Sequence, residues 1–236
     1  MPLLVLPCLK DTPIANMAID LWMLQDFPRA SCPRFRHYDW DRPCHTFGYG
    51  QDLAWVEKQT GASLESLFRR PTGGGVVDHR NDWTYSLVIP IDHPAAGQQI
   101  RSSYQALHAA LGAAMKSLGA SISDIEPSTK QGEVDFPLAP GLCFEEPVPY
   151  DLTVAGNGAK VAGAAMKKSR EGVLLQGSIQ KHLVADFEWE LLEDVFVERI
   201  ADFLNTTKES SPWPDGWEDA CAPFLAKLES IEWQRR

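Results

Sequence analysis

Three consecutive glycines follow a pair of arginines in Arg69-Arg70-Pro71-Thr72-Gly73-Gly74-Gly75, and His79 stands four residues further on. Glycine runs let a backbone approach a ligand and aim N–H groups at it, while paired arginines offer fixed positive forks to a phosphate or carboxylate. No Lys-Ser/Thr pair follows, so this is not a Walker loop, and the spacing is not G-x-G-x-x-G. A triple-glycine turn can also be a plain flexible connection. The arginines before it and the histidine after it favour a ligand loop. A second cluster, Gly156-Asn157-Gly158-Ala159-Lys160-Val161-Ala162-Gly163-Ala164-Ala165, sets Lys160 on a strand followed by small residues, including Gly163 and Ala164. Something large could lie against that backbone. The bland alternative for Lys160 is a solvated hairpin lysine.

Elements that position these groups can be read from periodicity and turn chemistry. Leu3 to Leu6 reads as a short strand, and Asp11-Thr12-Pro13 starts a helix whose apolar face carries Ile14, Met17, Ala18, Leu21, Trp22 and Leu24. Arg34 to Tyr38 alternates, Thr46 to Gly50 is extended, Ala54 to Gly61 is a short helix, and Leu64 to Arg70 is a strand. Asn81 to Ile91 is a clearer strand. Ile100 to Leu118 is the longest helical pattern and ends at Gly119. Residues 121 to 141 read as a long polar loop. Tyr150 to Val154 and Ala159 to Ala162 form a hairpin across Gly156-Asn157-Gly158, and Val173 to Gln180 is another strand. From Asp186 the chain reads as helical, interrupted at Pro212 to Gly216. Strands in the middle with helices around them predict an α+β domain.

These motifs, in this order, resemble the lipoate ligase, octanoyltransferase and biotin ligase superfamily. The resemblance runs from about Asn16 to about Gln180. It includes Asn16-Met17-Ala18-Ile19-Asp20, Pro43 to Gln51, Arg69 to Gly75, His79, Thr84-Tyr85-Ser86-Leu87, Lys160-Val161-Ala162-Gly163 and Gly177-Ser178-Ile179. The G-R-G-R-x-G-R-type loop of biotin ligases is absent. The implied fold is a mixed β-sheet flanked by helices, in which the glycine-rich loop and the lysine strand wrap an acyl chain. Two reactions occur in that family. Lipoate ligases use ATP and magnesium to make an acyl-adenylate, and octanoyltransferases take the acyl group from a carrier-protein thioester. Both deliver it to one lysine of a lipoyl domain.

Within this resemblance the segment Leu142-Cys143-Phe144-Glu145-Glu146-Pro147-Val148-Pro149-Tyr150-Asp151-Leu152 looks like the C-F-x-x-P-x-x-Y-[DE]-L segment of the cysteine-dependent octanoyltransferases. There the cysteine carries the acyl group as a thioester. Thiol chemistry suits the task, because thioester exchange is nearly isoenergetic and a thiolate is intrinsically nucleophilic. The resemblance implies Cys143 and Lys160 as the catalytic pair, with substrate held by Arg70, Thr72, Gly73, Gly74, Gly75, His79, Gly163 and Ala164. Lys160 would supply positive charge to Cys143 and repel a proton from the incoming amine. Backbone N–H groups at Gly73 to Gly75, or beside Lys160, would hold the oxyanion. His79 is either a proton carrier or a histidine bonding its own loop. Two positions depart from the cysteine branch: Gln176 stands where a histidine is expected, and Gly75 where an arginine is. The triple glycine is closer to the ligases. Three functions follow: octanoyl or lipoyl transfer through an acyl-cysteine, ATP-dependent ligation, and an inactive acyl- or carrier-binding homologue. No cofactor is needed for the first; ATP and Mg serve the second.

Composition bounds the partners. The chain has 236 residues, 32 acidic against 22 basic, a net charge of −10, which argues against a nucleic-acid binder. Residues 184–236 carry 13 acidic and 5 basic side chains, so most of the excess sits there, and residues 1–183 are read as the catalytic domain with 184–236 an acidic helical extension packed on it. Lys160 to Lys181 instead holds five basic residues and one acidic, a rim suited to acidic partners. The expected partners are an acyl carrier protein and a lipoyl domain or glycine-cleavage carrier protein. The five cysteines, Cys8, Cys32, Cys44, Cys143 and Cys221, show no disulfide framework and no zinc spacing, so no metal is expected and the four outside the motif are read as structural. No signal peptide is expected, and no apolar run approaches the roughly 18 residues of a membrane span. A cytoplasmic protein without membrane partners is expected. The eight tryptophans are read as packing groups.

Overall fold

A computed structural model of the chain describes residues 1–124, 141–144 and 148–235. Its elements run β1 (Leu3–Val5), β2 (Leu9–Asp11), α1 (Pro13–Gln25), β3 (Arg34–Trp40), β4 (His45–Phe47), α2 (Leu53–Thr60), β5 (Leu67–Arg69), β6 (Val77–Asp78), β7 (Asp82–Pro90) and α3 (Ile100–Ser117). They continue with β8 (Ile122–Asp124), β9 (Leu152–Val154), β10 (Lys160–Lys168), β11 (Gly172–Gln180), α4 (Trp189–Phe203), β12 (Lys208–Ser210), α5 (Trp217–Glu229) and α6 (Ile231–Gln234).

Among the described residues, a nine-stranded mixed sheet has the order β12-β1-β3-β7-β11-β10-β9-β8, with β2 also pairing β3, and a small sheet has the order β5-β4-β6. Every residue of β7 and β11 is buried, as expected of central strands covered on both faces. One face packs Phe35, Trp83, Tyr85 and Leu175 against Leu107 and Leu111 of α3 and Phe196 and Ile200 of α4. The other packs Tyr38, Val88 and Leu174 against Met17, Leu21 and Trp22 of α1 and Cys221 and Leu228 of α5. The mixed sheet flanked by helices is therefore as the sequence predicts. Trp213 and Trp217 pack on Trp22 with ring centroids 6.5 and 6.4 Å away, so these tryptophans dock helices.

Local chemistry explains the helix ends. The Thr12 hydroxyl accepts from Ala15 N at 3.2 Å to cap α1, and Asp52 caps α2 through Trp55 N at 2.8 Å. Gly61 closes α2 at φ 63°, a conformation that favours glycine. Several boundaries differ from the sequence reading. Leu64 to Ser66 is a 3-10 turn, and only Leu67–Arg69 is strand. β8 lies inside the expected long loop, pairing with β9; residues 125–140 of that loop lie outside the described residues. The C-terminal region is not all helix, because β12 adds a parallel strand beside β1. A three-residue strand is too short to show a period of two, which is why β2, β8 and β12 leave no pattern.

Candidate active site

Cys143 is seated on the glycine loop by backbone pairing. Val76 N donates to Gly141 O at 3.1 Å and Cys143 N donates to Val76 O at 2.8 Å. The approach is so close that a Cβ on Gly75 would lie 2.4 Å from Gly141 O and 2.9 Å from Cys143 N. Glycine at position 75 thus has a steric reason connected to the cysteine itself.

Lys160 reaches the sulfur because its strand is irregular. Pairing between β9 and β10 passes from Lys160↔Thr153 to Ala162↔Leu152, a bulge of the kind that re-aims a side chain. The Lys160 stem then folds back over Gly163, where a Cβ would lie 2.7 Å from its Cε. Its Nζ sits 3.5 Å from Cys143 Sγ and 2.8 Å from Asp151 Oδ2. Asp151 is wholly buried and also accepts from Val148 N at 2.7 Å and from the Tyr104 hydroxyl. The same Tyr104 oxygen accepts from Ala164 N at 3.3 Å. Burial pulls the Lys160 ammonium down, but its interactions with the Cys143 sulfur and the Asp151 carboxylate outweigh it and hold the group above its ordinary value. Lys160 is therefore cationic at neutral pH. His108, its ring tilted against Tyr104 with centroids 4.0 Å apart, is pushed down to about 4 by burial and stays neutral.

Arg70 braces the loop from beneath. Its guanidinium donates to Thr72 Oγ1, Thr46 O, Gly73 O and Gly75 O. Thr72 Oγ1 donates to Gln176 Oε1 at 2.7 Å, and Gln176 Nε2 donates to Asp20 Oδ2 at 2.6 Å, itself paired with Arg36. The loop is thereby tied to α1 and β3 through fully satisfied buried polar groups.

Two cavities meet at Cys143. A wider one of 370 Å³ is lined by Gly73, Gly74, Gly75, Tyr104, Cys143 and Lys160, among others. A narrow inner cleft of 30 Å³ has walls of Met17, Tyr38, Trp40, Val77 and Gly163, with Arg70, His79 and Gln176 also bordering it. Cys143, Gly74, Ala164 and Ala165 belong to both. Amide N–H groups of Gly73, Gly74 and Gly75 donate to no group among the described residues, whereas those of Ala164 and Cys143 are already bonded. Of the residues singled out from sequence, Thr72 alone lines neither cavity and acts from below. His79 has both ring nitrogens engaged, Nδ1 with Asp82 Oδ2 at 2.7 Å and Nε2 with Thr46 Oγ1 at 2.8 Å, the setting of a histidine that fixes its own surroundings. Glu145, Glu146 and Pro147 of the cysteine segment lie outside the described residues. Asp151 and Tyr104 were not singled out from sequence. Asp151 lies in the segment that carries Cys143, but nothing in sequence joins it to Tyr104, 47 positions away.

Residues 12–204 match the lipoyl protein ligase A/B catalytic domain. An octanoyltransferase LipM of Anoxybacillus flavithermus is 31% identical over 190 residues, covering 77% of this chain and 66% of the relative. Octanoyltransferase LipM of Carboxydothermus hydrogenoformans is 36% identical over 169 residues, covering 70% and 59%. The chain thus matches less than two thirds of the length of these relatives. Among solved structures, lipoate-protein ligase A bound with ATP superposes with a TM-score of 0.71 at 18% identity, covering 99% of this chain and 98% of that one. A putative lipoate protein ligase from T. acidophilum with bound lipoic acid gives 0.71 at 18% identity, covering 100% and 99%. At that identity the two structures establish the fold. No helix of the described residues is long and apolar enough to cross a membrane.

Proposed function

The chain belongs to the lipoyl protein ligase A/B catalytic domain family, and from that premise we propose that it transfers an octanoyl group to a lysine of a lipoyl domain through an acyl thioester on Cys143. The observation that carries this reading is the Cys143 sulfur, 3.5 Å from a buried cationic Lys160 at the junction of two cavities. The sulfur, as thiolate, adds to the carbonyl of an octanoyl thioester, and the tetrahedral oxyanion is held by the unengaged amides of Gly73 to Gly75. Collapse expels the carrier thiolate, which takes up a proton, and leaves octanoyl-Cys143. A neutral lysine amine from the lipoyl domain then adds to that thioester; the amide forms, the amine gives up a proton, and the sulfur of Cys143 leaves. The fixed charge of Lys160 stabilises sulfur as the departing anion and disfavours an ammonium on the incoming lysine.

Geometry divides the labour between the cavities. The inner cleft, walled by apolar side chains, takes the acyl chain, with flexible Met17 moving to enlarge it. The wider cavity admits carrier and acceptor in turn, and acidic carriers meet basic residues of the Lys160 to Lys181 stretch. This route needs no ATP and operates with reduced thiols, in the cytoplasm. Gly75, which in sequence points toward the ligases, is accounted for by its contact with Cys143.

Intact-mass measurement after incubation with an octanoyl thioester tests the reading. One octanoyl adduct is expected in the wild-type chain and none in Cys143→Ala, with transfer to a lipoyl domain proceeding without ATP. An adduct that persists in Cys143→Ala, or lipoyl-adenylate formed from free lipoate and ATP with no thioester turnover, overturns it.

A further inference from the structure

The far side of β3 carries a second group of chemically capable side chains that acyl transfer does not use. β2 runs parallel to β3 with Leu9 opposite Tyr38 and Lys10 opposite Asp39. Continuing that register by one residue sets Cys8 beside His37. Residues two apart on a strand share a face, so Asp39 projects with His37, away from Tyr38 and the α1 side. A ligand atom from each of Cys8, His37 and Asp39 lies within 4.8 Å of the others. Thiolate, imidazole and carboxylate are the donor set of zinc and its neighbours among divalent transition metals.

His37 is prepared for coordination. Its Nδ1 lies 2.8 Å from the Thr84 carbonyl oxygen, which can only accept, so Nδ1 carries the proton and Nε2 keeps its lone pair. The ring is stacked on Trp83 with centroids 4.3 Å apart and planes within 9°, which fixes its orientation. A carbonyl bonded to the far ring nitrogen is the arrangement that supports metal-bound histidines. The first turns of α4 lie above: His37, Asp39, Trp83, Trp189, Glu190, Glu193 and Asp194 enclose a cavity of 420 Å³. Asp39 and Glu193 both line that cavity, and a cation among these groups would offset their negative charge.

We propose that Cys8, His37 and Asp39 form a binding site for one divalent transition metal of the zinc class, with a water molecule as the fourth ligand. The ion replaces the thiol proton of Cys8, which is released to solvent, and no electron is transferred. Such an ion would clip the residue before β2 to β3. It would also sit one hydrogen bond from the acyl cleft, because Thr84 meets His37 through its carbonyl and Trp40, a cleft wall, through its hydroxyl at 2.9 Å. No C-x-x-C or H-x-x-x-H spacing betrays the site, since α1 separates Cys8, just before β2, from His37 and Asp39 on β3.

Cobalt(II) titration of the 236-residue chain, freed of metal, is the test. One equivalent is expected to give thiolate-to-cobalt charge-transfer absorption together with the intense visible bands of a four-coordinate ion, both displaced by zinc. Cys8→Ser should remove the charge-transfer band, and His37→Gln should weaken binding at least about 10–100-fold. Because Cys8 is exposed, Cys8→Ser is expected to fold. Cys143→Ala should leave the spectrum unchanged. Absence of a charge-transfer band, its survival in Cys8→Ser, or its loss in Cys143→Ala overturns the proposal, whichever way the acyl-transfer experiment falls.

Discussion

Lys160 and Arg70 both bring buried positive charge to Cys143, yet they are held in different ways. Lys160 is held by the Asp151 carboxylate at 2.8 Å and lies 3.5 Å from the Cys143 sulfur. Arg70 makes its hydrogen bonds to backbone carbonyls and threonine hydroxyls, and no carboxylate accepts from it among the described residues. Burial lowers Arg70 to about 10, with Cys143 and Tyr38 only partly opposing, whereas Lys160 is raised. Arg34 offers a control far from the cysteine. It too is buried, donates only to the carbonyls of Met23, Ala30 and Cys32, and is lowered to about 10. A planar fork gripping carbonyls shapes a loop, while an ammonium shared between a carboxylate and a sulfur can answer a change of charge on that sulfur. Lys160 is thus the chemical cation and Arg70 the architectural one.

Removing the chemical cation should have the largest effect. Lys160→Met is expected to slow octanoyl-Cys143 formation by about 10²–10⁴-fold, the usual worth of a positioned proton-transfer or charge-stabilising group. It also leaves Asp151 buried without its cation, a loss of up to about 3–5 kcal/mol, softened here by the bonds from Tyr104 and Val148. Rates must therefore be measured per folded molecule, with folding monitored by circular dichroism. A Lys160→Met chain that acylates at the wild-type rate would remove the distinction between the two cations.

A smaller effect follows from Asp151→Asn, which keeps the shape but deletes the charge that holds Lys160. Losing one charge-assisted bond of about 1.5–3 kcal/mol corresponds to a rate loss of roughly 10–100-fold. The pH dependence separates this from a packing defect. Because Lys160 is raised above the ordinary lysine value of about 10.4, its contribution is fully present below that pH and fades only as pH rises through the folded value. With the carboxylate gone, burial acts with less opposition, so the ammonium is lost at lower pH. The alkaline limb of the acylation profile, and of thermal stability, should move to lower pH in Asp151→Asn. An unmoved limb would mean that Asp151 only fills space.

How much of this was legible in the sequence depends on range. The Lys160 strand, the Gly156-Asn157-Gly158 turn and the glycine loop declare themselves through local residue types, and Cys143 through its resemblance to a known segment. The bulge that turns Lys160 toward Cys143 does not, because a register shift is a property of two strands and neither sequence shows it alone. Nor does the pairing of Asp151 with Tyr104, which needs α3 laid against β10. Gly75 is the instructive case. Sequence reads it as a departure from the cysteine branch; in space, its missing side chain is what lets the Cys143 backbone come close.

Arg70→Lys should have the smallest effect on the chemistry, and it tests the other half of the comparison. The substitution keeps a positive charge at the cleft but replaces a planar fork of five donors with three on a flexible stem. Gly73 O and Gly75 O, which share one guanidinium nitrogen, cannot both be kept along with the Thr46 and Thr72 contacts. At least one buried carbonyl is left unpaired, at a cost of about 1–3 kcal/mol. That loss falls on the loop whose amides face the oxyanion, while the 3.5 Å contact between Lys160 and Cys143 is untouched. Denaturant midpoint and donor KM should therefore move together, and the maximal rate of octanoyl-Cys143 formation should stay within about tenfold of wild type, a barrier change under roughly 1.4 kcal/mol. Wild-type stability with a collapsed maximal rate would place Arg70 against the reacting atoms and make both cations chemical.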